Sequence, residues 1–203
     1  MTESVKFTRG HGILENFLAR KRALMAEKLI PARCRGGRIL DIGCGTHPLF
    51  LLNTDFYEKH GLDKIIRRSL DSEIEKQNIK IKNYDIESKT TIPYPNEYFD
   101  IVTMLAVLEH IDPHQVIINL KEIHRILKPE GILILTIPAG WTDGLLKTMA
   151  KMKIVSADEI NEHKDVYNHP KIRSILQETG FNKENIRSGY FELFMNLWVR
   201  VNK

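Results

Sequence analysis

Between residues 41 and 86, three acidic side chains punctuate short apolar runs, each placed where a ligand could be gripped. The first is Asp41, inside Ile39-Leu-Asp-Ile-Gly-Cys-Gly-Thr46. Gly43 and Gly45 let the main chain turn sharply and let a ligand approach it without meeting a side chain. The helix that follows would offer free N–H groups. The dinucleotide fingerprint GxGxxG fails, because Pro48 stands where its last glycine should, and the phosphate loop GxxxxGK(S/T) is absent. A carboxylate inside an apolar strand also needs donors close by. The second is Asp63 in Gly61-Leu-Asp63, twenty-two residues after Asp41; an acid at the end of a second strand can accept from both hydroxyls of a ribose. The third is Asp85, whose carboxylate can accept from an exocyclic amine while Ile86 lies on an aromatic ring. Asp63 or Asp85 alone would equally suit a helix cap or turn. In strand order, the set describes a pocket for a sugar and an adenine with no required phosphate.

Apolar periodicity predicts the elements that must position these residues. Ile13, Phe17, Leu24 and Leu29 mark an amphipathic helix over about 12–30, stopped by Pro31 and Gly36-Gly37. Arg38 to Ile42 reads as a buried strand, followed by a short helix through Phe50 to Leu52 and a weak strand over Phe56 to Leu62. Lys64 to Gln77 reads as helix, and Ile79 to Tyr84 and Phe99 to Leu105 as strands. Val116, Leu120, Ile123 and Leu127 recur at helical spacing, Lys128-Pro-Glu-Gly131 ends that helix, and Ile132 to Ile137 is a further strand. Helices are expected at Asp143 to Lys151 and Lys171 to Thr179, with two antiparallel strands inside Ile186 to Val201. The stripe Phe191, Phe194, Trp198 reads as sheet core. This alternation calls for an α/β fold with a mainly parallel sheet covered on both faces. Ligands in such sheets bind at the carboxyl ends of the strands, here near Gly43, Asp63, Asp85 and Leu105.

With these motifs in place, a resemblance is plain. Ile39 to Thr46 resembles the first motif of class I S-adenosylmethionine-dependent methyltransferases. Tyr98-Phe-Asp-Ile-Val-Thr-Met-Leu-Ala-Val-Leu-Glu-His-Ile111 resembles their fourth-strand motif, and Leu127-Lys-Pro-Glu-Gly-Ile-Leu-Ile-Leu-Thr-Ile-Pro138 the fifth. The wording "LEHI" and "LKPEG" is similar to the small type 11 group, and the likeness spans Arg38 to Pro138. It implies a Rossmann-like, doubly wound, seven-stranded, mostly parallel sheet with a C-terminal antiparallel strand pair. It also implies S-adenosyl-L-methionine as cofactor and S-adenosyl-L-homocysteine as product. By position, Gly43, Cys44 and Gly45 would face the methionine part, Asp63 with Lys64 the ribose end, and Asp85 and Ile86 the adenine. Leu105 and Ala106 would line the cofactor from strand four. Asp41 would position the loop and reach the cofactor amine through water. His47 stands where many members carry a third glycine; it would start the next helix near the cofactor carboxylate.

Bulk properties bound the rest. A chain of 203 residues suits one domain, here divided into an N-terminal helical segment (1–36), a cofactor-binding core (37–138) and a substrate-side segment with the terminal strands (139–203). Apolar content of 42% and charged content of 28% fit an ordinary globular chain. The net charge is +4. Apart from Arg20-Lys21-Arg22 and Arg33/Arg35/Arg38, both read as solvated surface, the charge is dispersed, so a nucleic-acid partner is not expected. Cys34 and Cys44 form no CxxC pair and fit a reduced setting. The polar stretch Met1 to Gly12 is no signal peptide, and the apolar runs fall far below the ~20 residues of a membrane span. A cytoplasmic location is expected.

Methyl transfer from a sulfonium is an in-line displacement, so the protein mainly aligns the acceptor and excludes water. An oxygen acceptor often needs a base. His110, His114, His163 and His169 are the candidates; His110, just after strand four, and His163 are the nearest to where an acceptor should sit, with a structural role as the competing reading for His110. His110-x-Asp112-x-His114 has the look of a metal cluster, but Asp112-Pro113 reads as a helix cap with proline at the first helical position, and no metal is expected. If their segment is helical, His163 and Tyr167 share a face, and Trp141 follows strand five; Tyr167 and Trp141 are the substrate-side candidates, with a packed tyrosine and a core tryptophan as the equal competing readings. Arg9 in Phe7-Thr-Arg-Gly10 could meet a carboxylate if that segment covers the cofactor. The acceptor is expected to be a small molecule, a sugar or a lipid-linked glycan. Competing readings are an aminopropyl transferase, disfavoured because no paired-acid motif for a polyamine is present, a regulatory S-adenosylmethionine-binding protein, and an RNA methyltransferase. The last lacks the Asn/Asp-Pro-Pro-Tyr motif after strand four.

Overall fold

The computed structural model describes residues 15–65, 71–142 and 164–203. Helix α1 (Glu15–Leu29) precedes strands β1 (Arg38–Ile42), β2 (Glu58–Asp63) and β3 (Ile79–Asn83), with short helices α2 (Leu49–Leu52) and α3 (Asp71–Lys76) between them. Strand β4 (Phe99–Leu105), helix α4 (Pro113–Ile126), strand β5 (Leu127–Pro138), helix α5 (His169–Glu178) and strands β6 (Ile186–Phe191) and β7 (Asn196–Asn202) follow. The sheet has seven strands in the order β3-β2-β1-β4-β5-β7-β6. β1 to β5 pair in parallel, and β7 runs antiparallel to both β5 and β6. This is the Rossmann-like architecture expected from the sequence. Among the described residues, no helix is long and apolar enough to cross a membrane.

Period-two alternation sorts the strands onto two faces. Leu40, Val102, Leu133 and Leu135 join one buried cluster with Val116 and Leu120 of α4 and Leu176 of α5. Ile39, Ile101, Ile132 and Ile134 join the other with Ala26 of α1 and Phe50 and Leu51 of α2. On this second face, polar residues replace aliphatic ones toward the carboxyl ends. Asp41 lies opposite both Gly61 and Thr103 in register, and Asp63, Thr103 and Thr136 are buried there too. Helix α4 starts as its sequence demands, with Asp112 Oδ1 accepting from His114 N at 3.0 Å and Pro113 at the first turn.

Several boundaries differ from expectation. Lys128-Pro-Glu-Gly131 does not separate α4 from its strand. β5 begins at Leu127, and the register jumps from Leu127 to Ile132 opposite Phe99 and Ile101, so this stretch is a bulge with Glu130 at φ 64°. Within the expected helix from Lys64 to Gln77, only Asp71–Lys76 is helical among the described residues; the expected helix at 143–151 falls outside them. His47 does not open a helix: α2 starts at Leu49, and His47 O accepts from Leu49 N at 2.7 Å. Phe194 is not sheet core. It sits in the β6–β7 turn, 67% exposed. The Arg33/Arg35/Arg38 cluster is not simply solvated: Arg35 pairs with Glu27 at 2.6 Å, and Arg38 pairs with Glu58 and lies 4.5 Å over the Tyr98 ring.

Candidate active site

Strand order reverses between β1 and β4, and ligands in such sheets bind at the carboxyl ends beside that switch. The β1 turn is built for close main-chain approach. Gly43 and Gly45 have φ of 74° and 77°, and a Cβ on Gly43 would stand 2.4 Å from Val107 Cγ2. Asp63 clamps this turn to the end of β2: Oδ2 accepts from Gly45 N and Oδ1 from Ile65 N, both at 2.9 Å. A carboxylate offers about four acceptor sites, so these bonds leave capacity for more. Asp85 holds its own turn, accepting from Glu87 N at 3.1 Å and Ser88 Oγ at 2.9 Å. The β4 end is strained too, since Ala106, without the freedom of glycine, takes φ 56°.

Asp41 finds the donor its burial requires in Thr103, whose Oγ1 donates to Oδ1 at 2.6 Å. Burial pushes the Asp41 carboxyl up to about 7, against the lowering effect of Thr103 and with the neighbouring Asp63 charge adding to the rise. His60, on the opposite face of the sheet, is pushed by burial down to about 4. The two act oppositely on stability. A raised carboxyl means the folded state holds a proton that the unfolded chain has lost, so Asp41 costs stability as pH rises from 3.8 toward about 7. A lowered imidazole means the unfolded chain takes the proton first, so His60 costs stability as pH falls from 6.5 toward about 4. Asp41→Asn removes only the first effect. The variant should therefore show a steeper rise in urea midpoint with pH than the parent across the 4–6.5 window. Parallel midpoint-against-pH curves would refute the elevated Asp41 carboxyl.

Asp41, Gly43, Cys44, Gly45, His47, Asp63, Lys64, Asp85, Ile86, Leu105 and Ala106 all line one cleft, and His110 lies at its β4 side. The Cys44 thiol turns away into the helix-covered face, where a Cβ on Gly61 would meet it at 2.7 Å. The substrate-side candidates are not brought to the cleft wall. Tyr167 is 1% exposed in the main core cluster. Trp141 is 60% exposed and donates Nε1 to Phe194 O at 3.0 Å. His163 and Arg9 lie outside the described residues.

Sequence reasoning missed Arg22, Tyr84, Glu87 and Val107 of the cleft wall. Arg22 was hidden in a basic run that reads as surface, yet its Nε is buried with no hydrogen-bond partner. Spacing within α1 carried the only signal, since Ala19, Arg22 and Ala23 share the face turned to the cleft. Glu87 is bonded by Lys64 at 2.6 Å and Lys164 at 2.8 Å, which joins the β2 and β3 ends to the segment before α5; against the raising effect of burial, the two ammonium groups together hold the Glu87 carboxyl down at about 2. Burial lowers the His47 pKa, so that ring is a weak source of positive charge.

A family model described as a methyltransferase domain matches residues 11–186. No curated protein matches the sequence. Among solved structures, a SAM-dependent methyltransferase of Thermotoga maritima is similar, with 20% identity, TM-score 0.67, and 93% of this chain and 90% of that one covered. One from Mesorhizobium loti matches at 18% identity and TM-score 0.66 over 92% of this chain and all of the other, 100%. One from Archaeoglobus fulgidus matches at 16% identity and TM-score 0.66 over 94% and 97%.

Proposed function

The chain belongs to the methyltransferase domain family, and from that premise we propose that it methylates an oxygen or nitrogen of a small-molecule, sugar or lipid-linked acceptor through the cleft at the β1–β4 switch. It is an S-adenosylmethionine-dependent methyltransferase of the class I fold, with S-adenosyl-L-methionine as its cofactor. The observation that carries the site assignment is the convergence of Gly43, Asp63, Asp85 and Leu105, from the ends of four successive strands, on one cleft.

The residues fit that cofactor. When bound, it supplies an electrophilic methyl group on a sulfonium. In our reading, Asp63 accepts from the ribose hydroxyls, Asp85 accepts from the adenine amine, and Ile86, Leu105 and Ala106 give the rings apolar walls. The Gly43–Gly45 main chain borders the amino-acid end. Arg22, with a buried Nε lacking a partner, counters the carboxylate there, a task for which His47, its pKa lowered by burial, is less suited. Lys64, held by Glu87, fixes the ribose end. His110 is the candidate to take a proton from an oxygen acceptor.

Calorimetry tests the reading: S-adenosylmethionine or its demethylated product should bind, and failure of both would overturn it. Arg22→Ala should weaken both by on the order of ten- to a hundredfold, the worth of one hydrogen bond to a charged group. Methylthioadenosine, which lacks the amino-acid portion, should bind the variant and the parent alike. Equal losses for all these ligands would instead mean that Arg22 merely supports the cleft. Uptake of labelled methyl by fractionated extracts would then identify the acceptor.

A further inference from the structure

The β6–β7 turn is unusual. Glu192, Leu193 and Phe194 all take positive φ, 53°, 54° and 67°, without a glycine among them. Such backbone is costly for side chains of this size and persists only where surrounding contacts enforce it. Here Trp141 Nε1 donates to Phe194 O at 3.0 Å, Met195 N donates to Glu192 O at 3.0 Å, and Asn196 Nδ2 donates to Glu192 Oε2 at 2.6 Å. The result of that enforcement is to project apolar side chains outward: Leu193 is 85% exposed, and Phe194 and Trp141 are largely exposed beside it. Tyr190 extends the patch, with its ring 5.9 Å from that of Phe194.

Helix α1 continues this surface. Lys21 and Arg22 act electrostatically on Glu192, and the Lys21 ammonium lies 5.2 Å over the Phe17 ring. The outer face of α1 carries exposed Phe17, Arg20, Lys21, Leu24 and Lys28. Glu27 faces the protein, paired with Arg35 and accepting from Thr54. The inner side of the same helix, at Ala19, Arg22 and Ala23, walls the cofactor cleft.

We propose that the β6–β7 turn and the outer face of α1 together dock the enzyme on an anionic lipid surface, with Leu193 and Phe194 entering the headgroup region and the α1 cations contacting lipid phosphates and carboxylates. Charge decides among occupants. A second copy of this chain meeting the patch about a two-fold axis would set Arg20, Lys21 and Lys28 against their own counterparts, which is repulsive. A convex turn that offers two bare apolar side chains suits a fluid phase able to open around it, and the exposed α1 cations beside it match the sign of an anionic surface. An exposed indole whose N–H is already satisfied within the protein can sit at headgroup depth. The proposal goes beyond the acceptor reading and does not depend on it.

Sedimentation of the full chain with phosphatidylcholine vesicles, with and without phosphatidylserine, tests it. The parent should prefer the anionic vesicles, and added salt should weaken that binding. Lys21→Gln should lower it roughly fivefold, and the double variant Leu193→Ser/Phe194→Ser on the order of tenfold or more. Both variants should bind S-adenosylmethionine as the parent does, which reports an intact fold separately from docking. Should the double variant lose the cofactor, Lys21→Gln decides alone. Brominated lipid should quench Trp141 emission in the bound parent. Equal binding of the parent to both vesicle types, no binding at all, or unchanged binding by the folded variants would each overturn the proposal. So would self-association of the parent that the double variant abolishes while neither binds vesicles, which would assign the patch to a second copy.

Discussion

Asp63→Ala is expected to lower affinity for S-adenosylmethionine by a hundredfold or more. In the proposed reading the carboxylate has two tasks, accepting from ribose hydroxyls and holding the glycine turn, of which the structure shows the second through Gly45 N. Each hydrogen bond to a charged group contributes about 1.5–3 kcal/mol, so losing two ribose bonds alone exceeds a hundredfold. Losing the clamp adds disorder in a turn whose glycines have no side chains to hold it. Asp63→Asn separates the tasks: its remaining carbonyl oxygen can serve one partner but not all of them, so an intermediate loss is expected. Calorimetry on the three proteins gives the affinities, and urea unfolding gives the clamp's share. A normal affinity in Asp63→Ala would end the ribose assignment; a loss of stability with normal affinity would leave Asp63 as a turn residue alone.

The largest effect on stability is expected at Phe99. It is fully buried at the start of β4, with its ring centroid 4.7 Å from Tyr94, 5.0 Å from Tyr98 and 5.3 Å from His60. Truncation to alanine removes the ring's burial and leaves a cavity on the sheet face among Tyr94, Tyr98 and His60, a cost of about 3–5 kcal/mol. The same cavity would loosen the shell that keeps His60 neutral. Phe99→Ala should therefore also flatten the fall in stability between pH 6.5 and about 4 that burial of His60 imposes. An unfolding free energy within about 0.5 kcal/mol of the parent, the range of ordinary surface substitutions, would refute the account.

The sheet was readable because its central strands are near-continuous apolar runs. Ile39, Leu40 and Ile42 of β1 and Ile101, Val102 and Met104 of β4 are buried on both faces, the mark of parallel strands covered from either side. The cleft was readable for a related reason. Gly43, Asp63, Asp85 and Leu105 are tied to strand ends, and the strand order of the fold places those ends side by side. What sequence concealed was set by tertiary context. Arg22 belongs to a run of three cations, and only the packing of α1 over β4, β5 and α2 turns one of them inward. Thr103 is an ordinary strand residue until β1 and β4 come into register and bring it to Asp41. Tyr167 looked like a site residue because it follows a histidine at helical spacing. It pairs instead with Ala139 in an isolated parallel bridge and is covered by core. Phe194 looked like core because aromatic residues usually are, and only the left-handed turn reverses that.

The placement of β7 bears on how the chain assembles as it is synthesised. β6 leaves the ribosome before β7, yet among the described residues it pairs with no strand other than β7, which lies between it and β5. A nascent chain that has reached Phe191 thus carries a strand with nowhere to pair and a β5 whose outer edge is open, a combination that invites adhesion to other chains. Only when Asn196–Asn202 emerges can both be satisfied in one step, with β7 entering as the partner of each. The other half of the sheet, β1 to β4, has no such wait: its strands are complete once Leu105 is free, so the strand ends that line the cleft can form while the β5–β7 edge is still being made.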